Sequence, residues 1–186
     1  MEALNQIGFR DATEVQEAAI PAVMQRKDVI VRSKTGSGKT GAFLVPIMQM
    51  ATRSNVPEAL VVVPTRELAI QVHSVAEKLA KRMGLHTVIV YGGASINVQI
   101  DLVDRNSLRL SKVKVLVLDE ADLMLDMGFV EDVGTIMSMT PKDRQTMLFS
   151  ATMPREIVDI SRKYMKPDTV KIMVGKEEEV TVDTIT

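Results

Sequence analysis

The chain has 186 residues, 46% hydrophobic and 25% charged, with a net charge of −1: enough for one buried domain, and without the strong basicity common in nucleic-acid binders. It has no cysteine and two histidines, His73 and His86, which excludes disulfides and thiolate metal sites and leaves little for a structural zinc site. No apolar run approaches the roughly 20 residues of a membrane span, and the first fifteen residues carry charges where a signal peptide needs an apolar core, so an intracellular location is expected.

In chain order, Thr13 and Gln16 have the spacing of a capping box at a helix start. The runs Asp28–Arg32, Leu60–Val63, Thr87–Tyr91, Val113–Leu118, Thr146–Phe149 and Val170–Val174 read as strands, near-continuously apolar as in a parallel sheet covered on both faces. Arg66–Arg82 reads as a helix with Leu68, Val72, Val75 and Leu79 on one face. Pro154 suits the first turn of a helix that turns Ile157, Ile160 and Tyr164 inward. The thirteen methionines read as core filler, and Lys78, Lys81 and Arg82 as a solvated helix face. Gly175–Thr186 reads as an exposed linker. The alternation predicts an α/β fold with ligands at the carboxyl ends of the strands.

The first strand ends in Ser33-Lys34-Thr35-Gly36-Ser37-Gly38-Lys39-Thr40. Glycines let successive backbone N–H groups turn toward phosphate oxygens, and the start of the next helix adds its partial positive charge. Lys39 would reach the terminal phosphates and the Thr40 hydroxyl would hold magnesium. The strand Val113–Leu118 runs into Asp119-Glu120-Ala121-Asp122. An acid at the tip of a buried strand suits a magnesium shell, and its neighbour suits the orientation and deprotonation of water. These residues together suit the phosphates of a nucleotide and a magnesium ion, Mg2+.

Asp119-Glu120-Ala121-Asp122 spells the signature of the DEAD-box RNA helicases, and the chain resembles their N-terminal RecA-like domain over nearly its whole length. Gly8-Phe9, Thr13 and Gln16 resemble the Q motif, within 8–16, which reads adenine. Pro64-Thr65-Arg66-Glu67-Leu68-Ala69 and the pair Gly92-Gly93 resemble motifs that grip the RNA backbone. Ser150-Ala151-Thr152, with Asp122, resembles the element that couples ATP state to strand separation. From the residues alone, Thr13 and Gln16 could simply cap a helix, Phe9 could be core, Arg66 could pair with a nearby acid, and Ser150 and Thr152 could be turn residues.

The resemblance implies a RecA-like P-loop NTPase domain over residues 1–174, with a mostly parallel sheet, and a linker from 175 to a second RecA-like domain that brings arginines across the cleft. It further implies that the nucleotide is ATP and that the protein is a cytoplasmic, monomeric, RNA-dependent ATPase, with the isolated domain nearly inactive. Another P-loop NTPase and a non-catalytic nucleotide-binding module are the rival readings.

The chain also departs from the family pattern. Ala12 stands where the Q motif has proline, and 94–112 contains no Thr-Pro-Gly-Arg RNA contact. Residues are therefore expected to be missing between Gln99 and Asn106.

Overall fold

The structure, a computed structural model, describes residues 11–54, 56–91, 110–175 and 178–184. The described helices are α1 (Glu14–Met24), α2 (Lys39–Met50), α3 (Arg66–Met83), α4 (Ala121–Asp126), α5 (Val130–Met139) and α6 (Arg155–Tyr164). The strands are β1 (Val29–Ser33), β2 (Ala59–Val62), β3 (Val115–Leu118), β4 (Gln145–Ser150), β5 (Val170–Gly175) and β6 (Glu178–Thr184). They form one sheet in the order β2-β3-β4-β1-β5-β6, parallel throughout except for β6, which runs antiparallel to β5.

Strand alternation divides the core between the two faces of the sheet. Val29, Val31, Val115, Val117, Met147 and Phe149 point to one face, where α1, α2 and α3 cover them. Ile30, Leu116, Leu118 and Leu148 point to the other, under α4, α5 and α6. Each of these strand residues is 5% exposed or less, as a doubly covered parallel sheet requires. The Phe43 and Phe149 rings meet at 5.3 Å and tie α2 to β4.

The order of the strands positions the chemistry. β1 lies in the middle, between β4 and β5, and the chain leaves it for the far edge at β2 before returning through β3 and β4. The loop after β1 therefore opens at a switch point, with the ends of β4 and β3 following to one side.

Two sequence expectations change. Thr87–Tyr91 is not a strand. Its apolar alternation suits one, but among the described residues β2 is bonded only to β3, and Thr87–Tyr91 joins no ladder. Val88 and Val90 stay 56% and 47% exposed. The tail read as an exposed linker contains β6, because a β-rich segment completes the free hydrogen bonds on the edge of β5. The helix predicted at Arg66–Arg82 is found as α3, with Val72 and Leu79 buried and Leu68 and Val75 packed at the core margin.

Candidate functional site

The loop from Ser33 to Gly38 curls because two residues adopt conformations that only glycine takes easily. Gly36 has φ +79° and Gly38 φ +96°. Lys34, Thr35 and Gly36 form the exposed crest, where Ser37 N–H donates to the Lys34 carbonyl at 3.3 Å. Ser33 and Ser37 join their hydroxyls at 2.9 Å across the base of the loop. Lys39 is buried at 6% exposure, and its Nζ donates to the Ser33 carbonyl at 3.2 Å. It begins α2, with half-buried Thr40 next in the same turn.

Gly38, the cap of α2, contributes no side chain to the open helix end. A Cβ on Gly36 would meet nothing within 4 Å, so the crest faces free space. A glycine-lined turn, an uncapped helix N-terminus and a lysine fit a phosphate chain.

Gln16 is built into this loop. Its Oε1 accepts from Thr13 N at 3.2 Å and its backbone N donates to Thr13 Oγ1 at 3.4 Å, which completes the capping box. Its Nε2 then donates to the Gly38 carbonyl at 3.0 Å. A Cβ on Gly38 would lie 2.6 Å from Thr13 Oγ1 and 2.9 Å from Gln16 Nε2, so the cap and the loop fit only with glycine there. Nothing in the spacing of 16 and 38 announces this bond; it follows from α1 packing beside α2. Phe9 lies outside the described residues.

Asp119 ends β3, where its N–H donates to the Val62 carbonyl at 3.0 Å. It is 3% exposed, and burial raises its pKa from 3.8 to about 6, against the opposing pull of the Lys39 charge and of the bond from Glu120 N to Asp119 Oδ1 at 3.0 Å. The neighbouring Glu120 and Asp122 charges add to the rise. A desolvated carboxylate facing a lysine, beside a free loop, is suited to a divalent cation, which would favour its ionised form. Thr40 and Asp119 are the residues that would hold magnesium. Among the described residues there is no ready-made cluster of three acidic or histidine ligands, so phosphate oxygens and water would supply the rest of the shell. Glu120 is half-buried and holds φ +54°, a conformation uncommon for a residue with a side chain. The sharp turn it makes starts α4 directly after β3.

The acidic turn is joined to the end of β4. Asp122 N–H donates to Ser150 Oγ at 3.2 Å, and Asp122 Oδ2 accepts from Thr152 N and Thr152 Oγ1, both at 2.9 Å. Burial alone would raise the Asp122 pKa, but the hydrogen bonds from Thr152 and from Ser150 outweigh it and hold it below the usual value. Ser150 is buried, whereas Ala151 and Thr152 are exposed. The structure thus brings together Asp122, Ser150 and Thr152, three of the four residues that the family resemblance links, and a role as plain turn formers coexists with this bridge.

On the flank, Pro64 is buried and Thr65 caps α3, its Oγ1 accepting from Leu68 N at 3.2 Å. Arg66 is exposed, and its guanidinium carbon sits 4.6 Å from the centre of the Tyr91 ring. Tyr91 did not stand out in the sequence, because its partner lies on another element. Gly92 and Gly93 lie outside the described residues. His73 bonds locally, Nε2 to Thr87 Oγ1 at 3.3 Å, and His86 is exposed. Among the described residues, no helix is long and apolar enough to cross a membrane.

A family model described as DEAD/DEAH box helicase matches residues 13–160. The ATP-dependent RNA helicase CshA of Limosilactobacillus reuteri is 42% identical over 205 residues, covering 100% of this chain and 41% of the relative. The ATP-dependent RNA helicase DbpA of Bacillus subtilis is 38% identical, over 92% of this chain and 40% of its own length. A crystal structure of a DEAD box protein from Methanococcus jannaschii superposes with a TM-score of 0.83 at 36% identity, covering 94% of this chain and 53% of that one. The chain thus spans less than half the length of these two curated relatives. The 205 aligned residues also exceed the 186 of this chain, so CshA carries residues that this chain lacks. The interval between Gln99 and Asn106, where that shortfall is expected, lies outside the described residues. The motifs occur in one order along one RecA-like sheet, and the matches run over nearly the whole chain: it belongs to the DEAD/DEAH box helicase family.

Proposed function

We propose that this chain is the ATP-binding motor domain of an ATP-dependent RNA helicase, working as a cytoplasmic monomer whose second RecA-like domain completes the machine. The observation that carries the reading is the glycine turn open to solvent after β1, with buried Lys39 donating to the Ser33 carbonyl at its base and buried Asp119 at the same end of the sheet, within reach of the Lys39 charge. A positive group for phosphate and a desolvated carboxylate for a metal lie at one end of the sheet.

In this reading the loop residues Ser33 to Thr40 bind the phosphates through their backbone, and Lys39 exchanges the Ser33 carbonyl for a phosphate oxygen. Thr40 and Asp119 would hold magnesium, which would supply neutralisation of charge on the phosphates. Glu120 orients a water molecule and takes its proton. Gln16 keeps a second Nε2 hydrogen and a second Oε1 lone pair with which to read adenine while it stays tied to Thr13 and Gly38, which would link base binding to the shape of the loop. Asp122 carries the state of the acidic turn to Ser150 and Thr152. RNA is held through its phosphates by Pro64, Thr65, Arg66 and the glycine pair Gly92-Gly93. Contact through the RNA backbone requires a few placed donors and no strongly basic surface, consistent with a net charge of −1.

The test is ATP turnover, with and without RNA, by this chain alone and joined to a second RecA-like domain. The chain alone is expected to bind nucleotide and hydrolyse it hardly at all. An arginine supplied across the cleft is worth about 10³–10⁵ in rate in related NTPases. Strong RNA-stimulated turnover by the 186 residues alone would overturn the two-domain reading.

A further inference from the structure

We propose that Tyr91 is a positioning residue for RNA: its ring holds the Arg66 guanidinium ready to meet a backbone phosphate. This rests on the RNA reading above and adds to it a residue that the motif resemblance does not assign.

Arg66 is the first residue of α3, where a cation opposes the helix dipole, and it is exposed. Among the described residues it forms no ion pair. Its guanidinium nevertheless lies against the half-buried Tyr91 ring, 4.6 Å from carbon to ring centre. A guanidinium held over one ring can direct only part of its five N–H donors at that ring, and the others remain for another partner. A pair of such donors forms the fork that matches two phosphate oxygens. The backbone beneath Arg66 is fixed as well, by buried Pro64 and by the Thr65 cap on Leu68 N. A long side chain held at its root and at its head loses less freedom when RNA binds, so the ring contributes affinity without touching RNA.

Binding of a fluorescent single-stranded RNA to the 186-residue chain, followed by anisotropy, provides the test. Tyr91→Leu keeps bulk but removes the π face, and should weaken RNA binding about 2- to 5-fold, the range of an exposed cation–π contact. Tyr91→Phe, which keeps the π face, should retain most of the affinity that Tyr91→Leu loses. In an Arg66→Ala background, Tyr91→Leu should cost nothing further. Affinity for magnesium-ADP should be the same in all variants, which shows that each is folded. Equal RNA affinity of Tyr91→Leu and the unmodified chain would overturn the inference, as would an equal loss with Arg66 already removed. If Arg66→Ala leaves RNA binding unchanged, or the unmodified chain does not bind RNA, the RNA reading of this flank falls with it. If Arg66→Ala weakens binding while Tyr91→Leu does not, only the role of the ring is lost.

Discussion

Two aspartates lie buried at opposite ends of the parallel sheet, and they are held in different ways. Asp28, just before β1, is 1% exposed; its carboxylate accepts from Thr146 N at 2.8 Å and Lys166 N at 2.9 Å, with Lys166 Nζ at 3.8 Å. Gln145 adds a second tie nearby, its Nε2 donating to the Val23 and Lys27 carbonyls at 2.9 and 2.7 Å. Asp119, at the far end of β3, is nearly as buried, but among the described residues takes a backbone bond only from its own neighbour Glu120. Burial raises both pKa values; at Asp28 the two backbone bonds and the Lys166 charge oppose it, at Asp119 the Lys39 charge and that one bond do. One carboxylate joins three parts of the fold. The other leaves acceptor capacity turned toward a lysine and an open loop. A buried charge left short of partners is costly, and it is retained where binding supplies the partner.

Substitutions at the two ends should therefore separate stability from function. The largest effect is expected at the carboxyl end. In the two-domain enzyme Glu120→Gln should lower ATP turnover by roughly 10²–10⁴-fold with nucleotide affinity kept, since a positioned base is lost and the shape is not. Steady-state turnover and equilibrium nucleotide binding measure the two quantities; full turnover would move the base elsewhere.

At the amino end, Asp28→Asn should destabilise the fold by about 2–3 kcal/mol, because an amide N–H2 would face a backbone donor that now meets an acceptor. Urea unfolding measures the loss, and nucleotide affinity of the folded protein should not change.

Asp119→Asn should act in the opposite direction, because the amide oxygen can still accept the bond from Glu120 N, whereas both Asp28 oxygens meet backbone donors. The raised pKa means that the fold favours the protonated form, a contribution present below pH 3.8 and lost as pH rises through about 6. Without magnesium, the substitution should stabilise the protein by on the order of 1–3 kcal/mol at pH 8 and by nearly nothing near pH 4. Equal effects at the two pH values would show that Asp119 is already satisfied.

The smallest effect is expected at Thr152→Val. It removes one of the bonds to Asp122, for a cost of about 0.5–1.5 kcal/mol in unfolding, and raises the Asp122 pKa. Titration by NMR would follow that carboxylate, and an unchanged value would detach Thr152 from it.

The carboxyl end was the more legible in the sequence. Gly36 and Gly38 mark backbone that bends to positive φ, and Asp119 follows an unbroken apolar strand. Local chemistry is visible in a one-dimensional string. The same holds for α3, whose Leu68, Val72, Val75 and Leu79 repeat at helical spacing. Thr87–Tyr91 misled because alternation states a preference for a strand and not the presence of a neighbour to pair with. β6 was read as linker because Glu177-Glu178-Glu179 suggests solvent, although an edge strand tolerates such charge. Asp28 gave no signal at all: its partners, Thr146 and Lys166, are set by where β4 and α6 return to the base of the sheet. The Gln16 bond to Gly38 and the Arg66 contact with the Tyr91 ring were hidden for the same reason.

The central claim is that the carboxyl end of the sheet is a nucleotide-phosphate site and the amino end is structural. Titration of the chain with a non-hydrolysable ATP analogue and magnesium tests it most directly, comparing Lys39→Ala with Asp28→Asn. Lys39→Ala should weaken binding about 10- to 100-fold, the worth of a charged hydrogen bond, while folded Asp28→Asn binds like the unmodified chain. Undiminished binding in Lys39→Ala would contradict the account.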